Sequence, residues 1–241
     1  MKLRQKFCID QPGSLGDILF SVKIAHELSK IGEVYWRIAP TYWQSGVSRI
    51  EFPDNVHVGP EFPQYISGAT NLKLTDLTER HDPNIMTEKY RVAGVEWEDW
   101  ASYLKYKRNP KREKELQEFL GIEDGDKYIV YNEYYGSHQI YKGVKQGLPE
   151  NYEGKLVELK VFNEATIFDW CAILENAEEI HTVDTSIQYV IETLNLPNTK
   201  LVVHPRHYKT TPCVSKLFNK PWQWMEVDKD TWRQLAPDEA E

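Results

Sequence analysis

The chain has 241 residues, enough for one large domain or two small ones with separate cores. With 41% hydrophobic and 27% charged residues it falls outside the disordered, collagen-like and low-complexity classes. A formal net charge of -8 excludes a wholly basic surface that grips a phosphate backbone by charge alone, though not a local basic groove.

Residues 7–9 (FCI) read as a short buried strand, and the helix after them carries Ile18, Val22, Ala25 and Leu28 on one stripe. Gly32 is expected to stop that helix in the left-handed conformation. Residues 34–38 (VYWRI) form the next strand, so the chain opens with a strand-helix-strand unit and a parallel pair. Weaker strand signals follow at 56–58 and 72–74. WEDWASYLKYKR, from Trp97, reads as a helix, and Asn109 before Pro110 has the form of an N-cap with proline at the first helical position.

After KREKELQEFLG and the turn Asp124-Gly125-Asp126, a second alternating series begins at strand 128–131. It continues through strand 155–161, helix 166–177, strand 179–183, helix 185–194 and strand 200–204. Thr166 and Asp169 have capping-box spacing. The expected fold class is α/β, with two Rossmann-like lobes of parallel sheet flanked by helices. The expected division is an N-terminal Rossmann-like lobe (1–107), a helical linker (108–126), a second lobe (127–210) and a C-terminal helical tail (211–241).

Cys8, Cys171 and Cys213 are distant in sequence and show no C-x-x-C spacing, so neither a disulfide framework nor a zinc knuckle is signalled. The seven histidines show no H-E-x-x-H or clustered ligand spacing, and no metal site is expected. Asp124-Gly125-Asp126 has the D-x-D form that holds a divalent metal in some glycosyltransferases, but also the composition of any tight turn. The turn is the expected reading. Without a long apolar stretch near MKLRQKF or elsewhere, the expected setting is the cytoplasm.

Two strand-to-helix junctions carry the chemistry. At PGSLGDILFSVKIAHEL, Gly13 and Gly16 permit close approach of a ligand to backbone, and a helix N-terminus attracts anions. Neither G-x-G-x-x-G nor G-K-[ST] is present. A carboxylate at Asp17 is favoured by the helix dipole whatever its function, so spacing alone leaves a helix cap and a catalytic base equally open. These residues resemble the opening motif of the lipopolysaccharide heptosyltransferase family, inverting glycosyltransferases of the two-lobed GT-B fold. The resemblance implies that Asp17 is the base that deprotonates an acceptor hydroxyl, with Gly13, Ser14 and Gly16 at the donor.

The second junction, IHTVDTSIQYVIETLNLP, resembles the family's D-T-G turn, with Ser186 in place of the glycine. The resemblance implies that Asp184, Thr185 and Ser186 hold the donor diphosphate; the other reading of Asp184 is a simple N-cap. In NEYYGSHQIYKGVK, Lys142 is the best match for the family's phosphate-facing lysine, with Lys145 the alternative. Arg206, in HPRHYK, is a further candidate for a phosphate.

The activity implied is a metal-independent, inverting transfer of a hexosyl or pentosyl group. The donor would be a nucleotide-sugar substrate, with no cofactor, and the acceptor a glycan or other hydroxyl-bearing molecule. A modified base in viral DNA, which would make nucleic acid the acceptor, is one alternative. A catalytically inactive nucleotide- or glycan-binding protein of the same fold is another, motivated by Ser186.

Overall fold

The structure is a computed structural model that describes residues 5–11, 13–74, 84–135, 139–140, 142–160, 165–205 and 214–235. It divides into two compact units, Met1–Lys107 and Arg108–Glu241. In each, strands that are buried on both faces stand at the centre of a parallel sheet.

The first unit is built on β1 (Gln5–Asp10), α1 (Leu15–Ser29), β2 (Gly32–Arg37), α2 (Pro40–Gln44), β3 (Val56–Gly59), β4 (Thr70–Lys73) and α3 (Ile85–Ala93). All strand pairs are parallel, in the order β3-β2-β1-β4. Phe7, Cys8 and Ile9 of β1 are consecutive and buried, as a strand covered on both faces requires. The expected stripe of α1 lies in the core, and so do Leu19, Phe20 and Ile24, because α3 and a 3-10 turn at Trp100–Tyr103 cover its outer side. Phe20 meets the rings of Tyr90 at 4.9 Å and Trp100 at 5.5 Å, both edge-on, and the Tyr90 hydroxyl donates to the Phe20 carbonyl.

Two local expectations are corrected here. Gly32 does not end α1 in the left-handed region; it is the first residue of β2, and a Cβ there would lie 2.3 Å from the Gln5 carbonyl oxygen. The glycine serves the close approach of β2 to β1. The stretch from Trp97 is helical only at the 3-10 turn, because the backbone beyond it pairs with residues 49–51: Glu51 N donates to Lys105 O at 2.8 Å and Lys107 N to Arg49 O at 2.9 Å. Tertiary pairing outweighs helical propensity there.

In the second unit, α4 (Pro110–Phe119) begins as the sequence indicates, with Asn109 Oδ1 accepting from Arg112 N at 3.2 Å and Pro110 at the first helical position. Arg108 joins this helix to the layer behind it by donating to both Glu113 oxygens and, at 2.7 Å, to Glu175. There follow β5 (Tyr128–Asn132), the antiparallel pair β6 (Tyr134–Tyr135) and β7 (Gln139–Ile140), α5 (Gly143–Gln146) and β8 (Lys155–Glu158). Then come a 3-10 turn (Ile167–Trp170), α6 (Cys171–Glu175), β9 (Glu179–Val183), α7 (Ser186–Thr193), β10 (Lys200–His204), β11 (Gln223–Trp224) and α8 (Lys229–Leu235).

The main sheet of this unit is again parallel, in the order β11-β10-β9-β5-β8. The stretch expected as a helical tail also supplies edge strand β11, paired with β10. The helix expected at 166–177 is divided into the 3-10 turn and α6, and Asp169 Oδ2 accepts from both Thr166 N and Thr166 Oγ1. Asp126 belongs to a tight turn: it accepts from Glu123 N at 2.7 Å, beside Gly125 at φ 87°, and pairs with Lys155. Among the described residues no helix is long and apolar enough to cross a membrane.

Two buried polar groups hold the second unit together. Glu192 of α7 accepts from Asn219 N (2.6 Å), Lys220 N (3.0 Å) and Trp222 Nε1 (3.1 Å), tying the approach to β11 onto α7. His181 Nδ1 lies 3.3 Å from His204 Nε2, and His181 Nε2 lies 2.9 Å from a Glu179 oxygen. If Glu179 accepts from His181 Nε2–H, His181 Nδ1 must accept from His204 Nε2–H, which sets both tautomers. Burial depresses both histidines, with Glu179 partly opposing this at His181, and brings His204 down to about 4.

Removing the Glu192 carboxylate strands three donors. Glu192→Ala should lose about 3 kcal/mol in chemical denaturation, and Glu192→Gln clearly less. The histidine pair predicts an acid dependence. An unfolded histidine takes up a proton near 6.5 and folded His204 only at about 4, so its stabilisation is complete above pH 6.5 and disappears as the pH falls through 4. Denaturation curves across that window should show about 3 kcal/mol of loss that is much reduced in His204→Gln.

Candidate functional site

In a parallel sheet, ligands bind beyond the carboxyl ends of the strands, where the chain order reverses direction across the sheet. In the first unit that point is the end of β1, since β2 and β3 lie on one side of it and β4 on the other. In the second it lies between β5, which leads to β8 on one side, and β9 on the other. Each predicted junction stands at one of these two points.

Beyond β1, Ser14 precedes α1 and Asp17 is the third residue of the helix. Asp17 Oδ2 accepts from Ser14 N at 2.8 Å and Ser14 Oγ at 2.7 Å, so the carboxylate does cap the helix. Its other oxygen lies 2.9 Å from Nζ of Lys89, which is 1% exposed while Asp17 keeps 21% of its side chain open. Burial alone would raise the Asp17 carboxyl. The Lys89 charge and hydrogen bond, joined by the two Ser14 donors, outweigh it and hold the group below the ordinary aspartate value. A carboxylate offers about four lone-pair positions, and these three donors leave one.

Gly13 is required here for room. A Cβ on it would lie 2.7 Å from the Asp17 carboxyl, so any side chain would displace the carboxylate. Gly16 is buried in the first turn of α1. Lys89 had no signal in the sequence: it stands in the middle of α3, and only the docking of Tyr90 on α1 brings it to Asp17. Two cavities of this unit, about 400 and 390 Å³, lie around the other end of α1, near Ser29 and Glu27, away from this carboxylate.

Beyond β9, Asp184 is buried and Thr185 precedes α7 in extended conformation, φ -154° and ψ 179°, without a side-chain cap bond to the helix. In the first turn Gln188 N donates to Thr185 O at 3.0 Å; the N–H groups ahead of it stand at the N-terminus of an eight-residue helix, a position that suits an anion. Ser186 is the first helical residue, a conformation that any residue adopts, so the backbone places no demand for glycine there. Lys142 is exposed and immediately precedes α5. Lys145 stands at the end of β5, with Nζ 3.5 Å from buried Glu133 and 5.4 Å above the Tyr131 ring; the Glu133 charge raises its pKa. Arg206 lies outside the described residues.

With Lys89 removed, burial of Asp17 is opposed by Ser14 alone. A Lys89→Met variant should therefore show an Asp17 carboxyl pKa shifted upward from that of the parent chain, read by NMR titration of the side-chain carboxyl carbon.

No protein-family model and no curated protein matches the sequence. Solved structures do match it. A glycosyltransferase family 9 protein from Veillonella parvula DSM 2008 aligns at 13% identity and a TM-score of 0.52, over 94% of this chain and 87% of that one. The ADP-heptose lipopolysaccharide heptosyltransferase II of E. coli aligns at 11% and 0.50, over 97% and 95%. The dodecameric iron-containing heptosyltransferase TibC, in complex with ADP-D-β-D-heptose, aligns at 11% and 0.54, over 95% of this chain and 64% of its own. Among the described residues no three His, Cys, Asp or Glu side chains form a group able to hold a metal. At these identities the likeness is one of fold, and that fold is heptosyltransferase-like: two α/β units, each with a parallel sheet flanked by helices.

Proposed function

We propose that the protein is a glycosyltransferase that moves a sugar from a nucleotide-sugar donor to an acceptor hydroxyl, with inversion and without a metal. The observation that carries this reading is the Asp17 carboxylate, kept ionised between Lys89 and Ser14 at the reversal point of the first sheet, with one lone-pair position to spare. The heptosyltransferase-like fold supports it, and the structural neighbours named above include one bound to a nucleotide-activated heptose.

In this reading the acceptor hydroxyl donates its hydrogen bond to Asp17. As its oxygen bonds to the anomeric carbon, the proton passes to the carboxylate, and the bond from that carbon to the diphosphate breaks on the opposite face with its electron pair. A lowered carboxyl pKa makes a weak base that is fully ionised at neutral pH, so alignment rather than basicity supplies most of the effect. The departing diphosphate gains negative charge. The N–H groups that open α7, with the hydroxyls of Thr185 and Ser186, suit that charge, and Lys142 or Lys145 together with Arg206 would add cations.

Ser186 motivated an inactive binding protein, but its helical backbone conflicts with no requirement of the turn. Asp17→Asn should lower kcat by about 10²- to 10⁴-fold while a nucleotide-sugar donor still raises the melting temperature. Undiminished transfer by this variant would sink the assignment. A DNA-borne acceptor would instead reveal itself as salt-dependent DNA binding by the purified protein.

A further inference from the structure

Glu133 follows β5 directly, at the reversal point of the second sheet, and is 6% exposed. Among the described residues its one partner is Lys145, whose Nζ stands 3.5 Å from Oε2, the outer limit of a hydrogen bond. A carboxylate has about four lone-pair positions, and one so enclosed is costly unless donors fill them. Beside it, Tyr134 is 36% exposed and fixed in place by buried Asn132. The Asn132 carboxamide donates to the Tyr134 carbonyl and to Thr182 Oγ1, each at 3.2 Å, and its Oδ1 accepts from Tyr134 N at 3.1 Å. It is satisfied at both ends, so the Tyr134 backbone is tied to β9 as well as to β5. An aromatic ring held in the open next to a donor-poor carboxylate presents an apolar face and a hydrogen-bond acceptor together, which is what a sugar requires.

The charges decide which part of a nucleotide sugar suits this place. The Lys145 ammonium stands 5.4 Å above the Tyr131 ring, and Glu158, the register partner of Tyr131 on β8, pairs with Lys160 at 2.6 Å. Two carboxylates thus face two ammonium groups, and these four charges cancel; they offer a phosphate no net attraction. The N-terminus of α7, beyond β9, does. We propose that Glu133 and Tyr134 hold the uncharged sugar of the donor, Glu133 accepting from its hydroxyls and Tyr134 covering its apolar face, an inference that rests on the glycosyltransferase reading. Lys145 then neutralises Glu133, and of the two candidate lysines Lys142 is left for the diphosphate. The end of β5, where the resemblance to heptosyltransferases implied only a phosphate-facing lysine, gains a sugar-selecting role.

The test measures binding of the full chain by calorimetry to ADP-glucose, ADP-D-β-D-heptose, UDP-glucose, GDP-mannose and dTDP-glucose, each beside its nucleoside diphosphate. The nucleotide sugar that binds the parent chain, with its diphosphate, is then measured on Glu133→Gln, Tyr134→Leu and Tyr134→Phe, with melting temperatures of all. Glu133→Gln should bind the nucleotide sugar about tenfold more weakly but the nucleoside diphosphate equally or more tightly, because a negative charge near the phosphates is gone. Tyr134→Leu should lose about tenfold for the nucleotide sugar alone, and Tyr134→Phe, which keeps the ring, should match the parent. A folding role would weaken both ligands together and lower the melting temperature.

Three results would overturn the proposal: Glu133→Gln or Tyr134→Leu keeps the parental affinity for the nucleotide sugar, either one weakens the nucleoside diphosphate as much as the sugar form, or Glu133→Gln melts several degrees below the parent. The second result would assign the pair to the phosphates or the nucleoside, and the third would make Glu133 a folding residue. In each of these cases the parent chain still binds a donor, so the sugar-subsite inference alone falls. If the parent chain binds no nucleotide sugar of the panel, the glycosyltransferase reading falls with it.

Discussion

The ion pair between Asp17 and Lys89 is the constraint on which the junction between β1 and α1 depends. Each group is costly to bury alone. Lys89 is almost wholly enclosed and Asp17 largely so, and each makes the other's charge tolerable. A buried pair of this kind is weak evidence for stability, since an apolar pair of the same shape often packs as well. What the pair maintains is an ionised carboxylate just beyond the carboxyl end of β1.

The packing around α1 follows from that requirement. Phe20 points into a pocket made by Tyr90 and Trp100, and the Tyr90 hydroxyl bonds to the α1 backbone, so α3 cannot slide along α1 without breaking an aromatic contact and a hydrogen bond together. Lys89, the neighbour of Tyr90, is therefore held in register with Asp17. The helix-capping role of Asp17 and its ion pair are compatible for the same reason. The Ser14 donors take one oxygen and the lysine takes the other, and the carboxylate is oriented without being saturated.

The second unit reaches a comparable result by different means. Its junction opens α7 on backbone N–H groups rather than on an ion pair. Glu192 closes the far end of α7 against the strand that completes the sheet, while Glu179, His181 and His204 run as a hydrogen-bonded chain across the neighbouring strands β9 and β10. The junction and these braces share α7 and β9, so the position of the N-terminal end of α7 is coupled to the packing of the sheet.

Much of this was legible in the order of residues, because it is local. The apolar stripe Ile18, Val22, Ala25 and Leu28 marks α1, the run of apolar residues marks β1 and β5, Asn109-Pro110 marks the start of α4, and both strand-turn-helix junctions are spelled out in consecutive residues. Where local signals misled, at Gly32 and after Trp97, the cause was a neighbour supplied from elsewhere in the chain: the approach of β1 in one case and backbone pairing with residues 49–51 in the other. Lys89 and the His181–His204 pair were invisible for the same reason. Nothing near Lys89 in sequence distinguishes it from a surface lysine; enclosure by α1 and a carboxylate from another helix do. The sequence alone thus determined where the two strand-to-helix junctions fall and which elements form them. Tertiary structure decided the charge state, the partners and the unfilled hydrogen bonds of the side chains there, because these depend on side chains far apart along the chain meeting where water is excluded.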